Sequence, residues 1–398
     1  MKRRNFTFLF TVLLSMNSAL TSAHDFEAKN SDGVTIYYNF RNDKTELSVT
    51  FRGDLATSDY SEYRDRYVGH VAIPASVTYE GKAYPVTEIG YYSFNYCEGL
   101  TSVTIPTSVT HINKSAFIRC KGLTSIDIPS SVTEIEDGAF TQSGITSVVI
   151  PRSVTFVGDN TFVNCDNLAA ITVAEDNPKY DSRDNCNAII ETETNKLVAG
   201  CKNSIIPNTV TSLGHNAFFS CKGLTSITIP VSVTSMGYNV FGNCNTLTSI
   251  TIPGSVTSIG AWGMYGSENL AVVHLIGNDE LTIGDNFLRN CRKLTDVYYY
   301  KEKLPAIGDL AFHQIDLENV TLHVPAAAVD AFKAAEPWSA FKDVVAITEE
   351  ELASVGSVTT EPAMGETRFT LSGQRIAVPK KGVNIVKKGN KVRKVLVR

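Results

Sequence analysis

Cysteine is the residue of this 398-residue chain best suited to covalent chemistry, and two of its eight cysteines flank a predicted hairpin. Cys186 and Cys201 lie on either side of "NAIIETETNKLVAG", in which two apolar runs surround the polar stretch "ETETN". This pattern predicts a β-hairpin centred between Glu193 and Thr194. Because both cysteines are equally far from that centre, they should face each other within disulfide distance. We predict a Cys186–Cys201 disulfide, with a reduced, closely opposed pair as the alternative.

The other six cysteines recur at one site of a sequence repeat. They are Cys97, Cys120, Cys165, Cys221, Cys244 and Cys291. The short spacings typical of zinc ligands, such as CxxC, do not occur among them. Their predicted role is therefore a column of small, buried packing groups.

Motifs for catalysis are missing from the sequence, which has no GxSxG, HExxH, P-loop or GxGxxG after a strand. The acidic segment at 174–185 could offer oxygen ligands to calcium, but its spacing is irregular and a solvated loop is favoured. His111 is assigned to solvated surface. Tyr298 and Tyr300 give a weak hint of an aromatic contact, with Val297 and Tyr299 facing inward. We therefore predict no catalytic, cofactor-binding or metal-binding residue.

A repeat of about 23 residues is the dominant feature of the chain. It is marked by a large apolar residue, phenylalanine in every unit but one, at Phe94, Phe117, Phe140, Phe162, Phe218, Phe241, Met264, Phe287 and Phe312. A period in this range is typical of a solenoid, in which each unit buries its apolar side against its neighbours. The long step between Phe162 and Phe218 leaves room for an insertion at 174–204, which contains the predicted hairpin.

One unit, "LTSVTIPTSVTHINKSAFIRC", predicts the path of a single coil. Val103 and Ile105 alternate with polar residues, as in a strand with one buried face, and the following proline ends that strand. "SVTHI" predicts a second short strand. "KSAFIRC" then predicts a helical or 3₁₀ turn that places Phe117 in the core. Enzymatic activity is disfavoured, because such units repeat the same side chains whereas catalysis needs unlike groups to converge.

The polar sites of the first strand form the predicted binding surface, a flat strip of hydroxyl groups running across the coils. The candidates are Thr101, Thr104, Thr124, Thr225, Thr228, Thr248 and Thr251. The alternative is that this strip is merely solvated and that loops such as 174–204 bind instead.

These units resemble the BspA-like class of leucine-rich repeats over residues 71–325. Ser143 and Ser267 depart from the pattern by replacing the cysteine, and Met264 replaces the phenylalanine. The predicted fold is α/β but predominantly β, a leucine-rich-repeat solenoid of about nine coils. The resemblance implies cell-surface adhesion to host or matrix proteins, or to other cells.

The two ends of the chain differ from the repeat. Residues 1–23, with a basic start and a short apolar run, predict a secretory signal peptide, and no other segment is apolar enough to span a membrane. Residues 24–70 alternate polar and apolar residues and predict an N-terminal β cap. Residues 326–348 predict a C-terminal helical cap, begun by Pro325. Residues 349–360 predict a linker.

The last segment, 361–398, is basic, with ten Lys or Arg and two Asp or Glu, although the whole chain has a net charge of −5. It resembles the C-terminal sorting domain of the type IX secretion pathway. The matching residues are Leu371, Gly373, Arg375, Gly382, Val383, Ile385, Gly389, Lys394 and Val395. That resemblance implies a protein secreted or displayed at the surface of a Gram-negative bacterium.

The acidic body of the chain excludes nucleic acid as a favoured partner, since it repels phosphate groups. We therefore predict an exported, non-catalytic protein that binds extracellular, host or matrix proteins, or other cells. The alternative is a structural spacer or a glycan-binding surface module.

Overall fold

The computed structural model describes residues 24–51 and 67–352, together with the backbone of four strands between 366 and 397. The predicted signal peptide and residues 353–360 of the predicted linker lie outside the described residues. In the described part, no helix combines the length and the hydrophobicity needed to cross a bilayer.

The chain enters through a small sheet that covers the first coil. Its strands are β1 (Phe26–Lys29), β2 (Thr35–Arg41) and β3 (Glu46–Thr50), paired antiparallel. The alternating sequence turns Tyr38 and Val49 into the core, where each is almost fully buried. Strand β3 then pairs in parallel with the first repeat strand, so the cap continues directly into the solenoid.

The first half of the solenoid contains nine strands. They are β4 (Gly69–Ala72), β5 (Ser76–Tyr79), β6 (Lys82–Ile89), β7 (Leu100–Thr104), β8 (His111–Ile112), β9 (Glu134–Ile135), β10 (Ser147–Ile150), β11 (Phe156–Val157) and β12 (Ala170–Val173). Strands β6, β8, β9 and β11 are neighbours in one parallel sheet, each one coil after the last.

An insertion follows, with a 3₁₀ turn at Arg183–Asn185 and the strands β13 (Tyr180–Asp181), β14 (Ala188–Glu191) and β15 (Lys196–Gly200). Strands β14 and β15 form an antiparallel hairpin around residues 192–195, as the "ETETN" pattern predicts. Strand β15 also pairs in parallel with the next repeat strand, so the hairpin is built into the solenoid.

The second half carries ten further strands. They are β16 (Ser212–Leu213), β17 (Ser235–Met236), β18 (Ser249–Ile252), β19 (Ser258–Ile259), β20 (Val272–Leu275), β21 (Thr282–Ile283), β22 (Asp296–Tyr299), β23 (Ala306–Ile307), β24 (Thr321–Val324) and β25 (Asp343–Ala346). A parallel sheet joins β15, β16, β17, β19, β21 and β23, and a second parallel sheet joins β18, β20, β22, β24 and β25.

The predicted fold class is confirmed: the molecule is a predominantly β solenoid with a C-terminal helix, of about eleven turns. The sequence repeat predicts nine. The two additional rungs are β3 of the cap and β15 of the hairpin, which stack in parallel on β6 and β16 although neither belongs to a repeat unit.

The third side of each coil is a chain of tight turns and not the predicted helical or 3₁₀ turn. In all but one of these turns, two residues four positions apart have left-handed backbone angles, for example Asn239 (φ 56°) and Asn243 (φ 55°). Such residues interrupt any helix, and asparagine tolerates this conformation better than most residues. Backbone hydrogen bonds join neighbouring turns: an N–H in one coil donates to a carbonyl in the next, as from Phe117 to Ala139 at 2.8 Å.

Apolar side chains fill the inside of the coils. Phe94, Phe117, Phe140 and Phe162 stack with centroid spacings of 5.0, 5.4 and 5.8 Å and planes within 5° of parallel. Offset stacks of this kind add to the stabilisation gained from burial alone. The stack stops at the hairpin, and the core divides there into two clusters.

The open end of the core is closed by 3₁₀ turns at Leu317–Asn319, Ala326–Ala328 and Trp338–Ala340 and by helix α1 (Val329–Ala334). Phe332 and Trp338 are buried, with ring centroids 5.3 Å apart, and Trp338 also contacts Phe312 of the last repeat unit.

Beyond the solenoid, four antiparallel strands lie in the order β27-β26-β28-β29. They are β26 (Glu366–Phe369), β27 (Arg375–Ile376), β28 (Gly382–Lys388) and β29 (Lys391–Val397). The basic C-terminal segment therefore forms a small sheet.

Candidate functional site

The predicted threonine strip is exposed but is not one continuous surface. Thr101, Thr104, Thr124, Thr225, Thr228 and Thr248 are exposed, and Thr251 is half-buried. The first strands form three separate sheets, β4-β7, β10-β12 and β18-β20-β22-β24-β25. Between them lie coils with no assigned strand at this position, including those of Thr124 and Thr228. The strip is interrupted because some of these coils are joined only by isolated bonds, such as Thr146 N–H to the Thr124 carbonyl at 3.0 Å.

The outward face of the five-stranded sheet is the longest unbroken part of this surface. Its register places Thr251, His274, Tyr298 and His323 side by side on successive strands, followed by Val345. We call His274, Tyr298, Tyr300 and His323 the ring cluster. His274 and Tyr298 stack at 4.5 Å, and Tyr298 and His323 stack at 4.0 Å. The sequence hint at Tyr298 and Tyr300 is confirmed in placement, since Val297 and Tyr299 are buried beneath them.

Two carboxylates hold the imidazole of His323. Its Nε2 lies 3.0 Å from Asp296 Oδ1, and its Nδ1 lies 3.4 Å from Glu351 Oε1, an ion-pair distance without hydrogen-bond alignment. The Tyr298 hydroxyl donates to the same Glu351 oxygen at 3.1 Å. Because both nitrogens of His323 face carboxylates, the ring is poorly placed to act as a general base.

Glu351 belongs to the segment predicted to be a linker, yet it contacts the solenoid. Its Oε2 accepts hydrogen bonds from the backbone N–H and the hydroxyl of Thr348, at 2.7 and 2.8 Å, and the Glu351 N–H points back to that hydroxyl. This reciprocal arrangement is a capping box, which fixes the carboxylate in place. The linker prediction missed it, although "TEEE" is the sequence signal for such a box.

The ionisation of the ring cluster follows from its burial and charges. Burial lowers the pKa of His274, and the neighbouring His323 lowers it further, against the opposing effect of Asp296 and Glu351. Burial, together with the hydrogen bond to Glu351, raises the pKa of Tyr298 to about 12. Burial acts to raise the pKa of Glu351, but its hydrogen bonds with Thr348 and Tyr298 outweigh this and lower it. At neutral pH this face therefore presents a neutral His274, a neutral phenol and an ionised carboxylate.

The predicted opposition of Cys186 and Cys201 is wrong. The ladder pairs Glu191 with Lys196 but Ala188 with Gly200, because a bulge between Ile189 and Ile190 shifts the register by one residue. Both cysteines are buried free thiols, and burial raises the pKa of Cys186 to about 11. The Cys201 thiol donates to the carbonyl of Asn187 at 3.4 Å. A sequence count from the hairpin centre cannot detect a bulge.

Five of the six repeated cysteines are buried as predicted and Cys221 is half-buried, and in several coils their thiols also donate hydrogen bonds. The Cys120 thiol donates to the Phe94 carbonyl one coil before it, at 3.0 Å, and Cys244 donates to Phe218 in the same way, at 3.1 Å. Ser267, which replaces the cysteine in its coil, donates to Phe241 at 2.9 Å. Serine therefore fits the column because the site needs a small donor.

Burial makes the column cysteines poor nucleophiles. It raises the pKa of Cys165 to about 11 and that of Cys244 and Cys291 to about 12, so their reactive thiolate form is scarce at neutral pH.

In the acidic segment at 174–185, several polar side chains are engaged in hydrogen bonds within the protein. Asp181 accepts from the Arg183 guanidinium at 2.8 Å, and the Asn177 side chain bonds to the carbonyls of Pro151 and Val154. In the described part of the chain, no group of three or more His, Cys, Asp or Glu residues is placed to hold a metal ion. His111 is about one-third exposed, 3.9 Å from Glu134.

Comparison with known proteins gives a consistent picture. The family profile described as "BspA type Leucine rich repeat region" matches residues 87–189 and 188–318. No curated protein matches the chain significantly.

Three solved structures of bacterial leucine-rich-repeat proteins are similar to this chain. One from Eubacterium ventriosum is 21% identical, with 77% of this chain and 90% of that chain covered and a TM-score of 0.52. One from Bacteroides ovatus is 22% identical, covering 81% and 82%, with a TM-score of 0.47. A leucine-rich cell surface protein from Faecalibacterium prausnitzii is 23% identical, covering 69% and 94%, with a TM-score of 0.42.

Proposed function

Because this chain belongs to the BspA-type leucine-rich-repeat family, we propose that it is an exported, non-catalytic surface protein that binds extracellular proteins of a host, a matrix or other cells. The observation that carries the proposal is the outward face of the five-stranded sheet. On three successive strands beside Thr251, this outward site is occupied by His274, Tyr298 and His323 on a continuous backbone support. Tyrosine is among the residues enriched at protein interfaces, whereas plain solvated positions do not require it.

The non-catalytic part of the proposal rests on the same geometry. The unlike groups that meet on this face are already paired: His323 lies between Asp296 and Glu351, and the Tyr298 hydroxyl donates to Glu351. The buried thiols have raised pKa values. A surface of this kind offers hydrogen bonds and ring edges to a partner, and no activated nucleophile.

Export and display rest on the two ends of the chain. We propose that residues 1–23 direct export and that residues 361–398 direct display at the surface of a Gram-negative cell. Truncation after Thr360 should leave thermal unfolding of the solenoid unchanged while the protein accumulates in the periplasm. Normal surface display of the truncated chain would remove the sorting role.

Binding can be tested with the mature chain and a panel of immobilised extracellular matrix proteins. Tyr298→Ala should weaken saturable binding at least tenfold, as expected for an interface residue whose truncation costs more than 1.4 kcal/mol. Tyr238→Ala is the matched control, because Tyr238 is 43% exposed and lies outside the ring cluster. Equal binding by both variants would exclude the ring cluster as the contact.

The threonine strip can be tested separately by placing lysine at Thr104, Thr228 and Thr251 together. Weaker binding by a folded triple variant would extend the contact surface beyond the ring cluster. The alternative contact, the hairpin at 174–204, should be tested by substitution in its exposed turn, because removing β15 would also remove a rung of the solenoid. Loss of binding in the turn variant alone would move the contact to the hairpin.

The alternative functions make different predictions. A structural spacer should bind nothing on the panel, and a glycan-binding module should bind ligand preparations from which protein has been removed.

A further inference from the structure

The break in the repeat creates an open groove of about 480 Å³ on the turn side of the solenoid. The side chains used below are Arg119, Lys121, Gln142, Asn164, Asp166 and Lys222, which we call the junction groove. Its volume falls within the range of small-ligand sites.

At this break a side-chain pair from distant parts of the chain replaces a regular contact between neighbouring coils. Lys121 pairs with Glu98 at 2.9 Å, one repeat earlier, as the solenoid dictates. Lys222 instead pairs with Asp166, 56 residues away, at 3.1 Å. The hairpin produces this unusual pairing. Its residue Gly200 donates its backbone N–H to the carbonyl of Ala217, so the turn that carries Lys222 is bonded to the hairpin. The groove therefore combines groups that no regular coil brings together.

Charge sets the groove apart from the rest of the solenoid. Three cations and one carboxylate line it, although the body of the chain is acidic. The side chains of Lys121 and Lys222 are 64% and 49% exposed. Ion pairs this exposed are weak, so both ammonium groups can turn to a ligand at little cost.

Arg119 is the fixed element of the groove. Its guanidinium lies over the Tyr96 ring at 4.4 Å and donates to the Tyr96 hydroxyl, and its Nε donates to Gln142 at 2.5 Å. A guanidinium has five N–H donors in a planar fork suited to carboxylates, so donors remain for a ligand. Holding the fork in place beforehand reduces the entropy lost on binding.

We propose that the junction groove binds acidic oligosaccharides, with one sugar carboxylate on Arg119 and another on Lys222. The amide of Asn164, which can both donate and accept, is placed for the sugar hydroxyl groups. This site is distinct from the ring cluster and extends the function beyond adhesion to proteins.

The test uses α-1,4-linked tetragalacturonate, its methyl ester and the mature full-length protein in a calorimetric titration. Saturable binding of the free acid, weakened by added salt, is expected, and none of the uncharged methyl ester. Lys222→Gln and Arg119→Gln should each weaken binding about tenfold or more, as for loss of a charge-assisted hydrogen bond. Asp166→Asn should strengthen binding, because it removes the one repelling carboxylate and frees Lys222.

Lys114→Gln is the matched control, since Lys114 forms a similar surface pair with Asp137, at 3.9 Å, outside the groove. Unchanged thermal unfolding of Lys222→Gln confirms that a loss of binding is local. The proposal is overturned if the methyl ester or inorganic sulfate binds as tightly as the acid, if nothing binds, or if Lys114→Gln weakens binding as much as Lys222→Gln. The protein-binding assay uses the ring-cluster variants, so either function can fail alone.

Discussion

The two halves of the solenoid, before and after the hairpin, are built from the same repeat but differ in whether the aromatic stack or the sheet of first strands is continuous. In the first half the aromatic stack runs unbroken through Phe94, Phe117, Phe140 and Phe162, while the first strands pair only two at a time. In the second half the stack ends after Phe218 and Phe241, and Met264 follows, while the first strands join into five.

This difference shows that a repeat fixes the inside of a coil more tightly than the connections between coils. Both halves share a continuous parallel sheet of second strands, β6-β8-β9-β11 before the hairpin and β16-β17-β19-β21-β23 after it. In addition, the aromatic stack is unbroken only in the first half, and the sheet of first strands joins five strands only in the second. In the second half the outward residues have diverged into the ring cluster on the continuous side. In the first half the outward face of the interrupted strands keeps simple residues such as Thr101 and Thr104.

The largest expected effect is the loss of a ring from the stack. Phe117→Ala should lower the free energy of unfolding by about 3–5 kcal/mol, the usual cost of removing a buried aromatic side chain. Phe117 is fully buried between two parallel rings. Denaturant unfolding measures the change, with Met264→Ala as the matched substitution in the second half. A smaller loss of unfolding free energy for Phe117→Ala than for Met264→Ala would contradict the view that the ring stack is the main stabilising contact between the coils of the first half.

The next effect concerns the boundary between the halves. A Cβ atom on Gly200 would lie 2.2 Å from the Phe218 ring, so Gly200→Ala must displace either the hairpin or the ring. Overpacking of this kind should cost roughly 1–3 kcal/mol. Thr194→Ala in the exposed turn of the same hairpin is the control and should leave the free energy of unfolding nearly unchanged. Equal stability of the two variants would mean that the boundary is loosely packed.

The inside of the coils could be predicted from the sequence because every coil repeats it. Val109, Ile112 and Phe117 are all fully buried, as the alternation and the aromatic column indicate. The left-handed turns were missed, although asparagine at 239 and 243 was an available signal. The two extra rungs could not be found by a repeat, since β3 and β15 carry none of its residues.

The candidate site was predictable only in part. The sequence pattern indicates that Tyr298 faces outward, but its ring partners His274 and His323 are one coil away in space and about 25 residues away in sequence. His274 and His323 occupy an outward site whose residue varies from coil to coil, so only the register of the sheet shows that they meet Tyr298. Glu351 lies beyond the repeat, and no periodicity links it to Tyr298.

A smaller effect should distinguish the halves by pH. The folded state holds His274 with a lowered pKa, so it binds fewer protons than the unfolded chain does. The contribution of His274 to the stability of the fold is therefore complete above pH 6.5, the ordinary pKa of histidine, and declines as the pH falls below it. Glu351, whose pKa is also lowered, contributes with the same sign at lower pH, below about 4.5. The groups facing His274 are Tyr298, Tyr300, His323, Asp296 and Glu351.

Thermal unfolding between pH 8 and pH 5 measures this effect. We expect the decline to be shallower in His274→Gln and unchanged in His111→Gln, which alters an exposed histidine of the first half. A decline that is the same in both variants would place the acid-sensitive group elsewhere.

The smallest expected effect is that of a reductant, which should leave the unfolding temperature unchanged. Cys186 packs in the core of the second half and Cys201 in that of the first, so a disulfide between them would join the two halves covalently. Such a bridge would close a loop of about fifteen residues, and on the chain-entropy model it would stabilise the folded state by on the order of 3 kcal/mol. The register shift leaves both as free thiols, so no disulfide crosses the boundary.

Alkylation of the protein, unfolded without reductant, should therefore label all eight cysteines. Recovery of six labels, together with a lower unfolding temperature in reductant, would mean that the halves are covalently joined and that the bulge is not present in the exported protein.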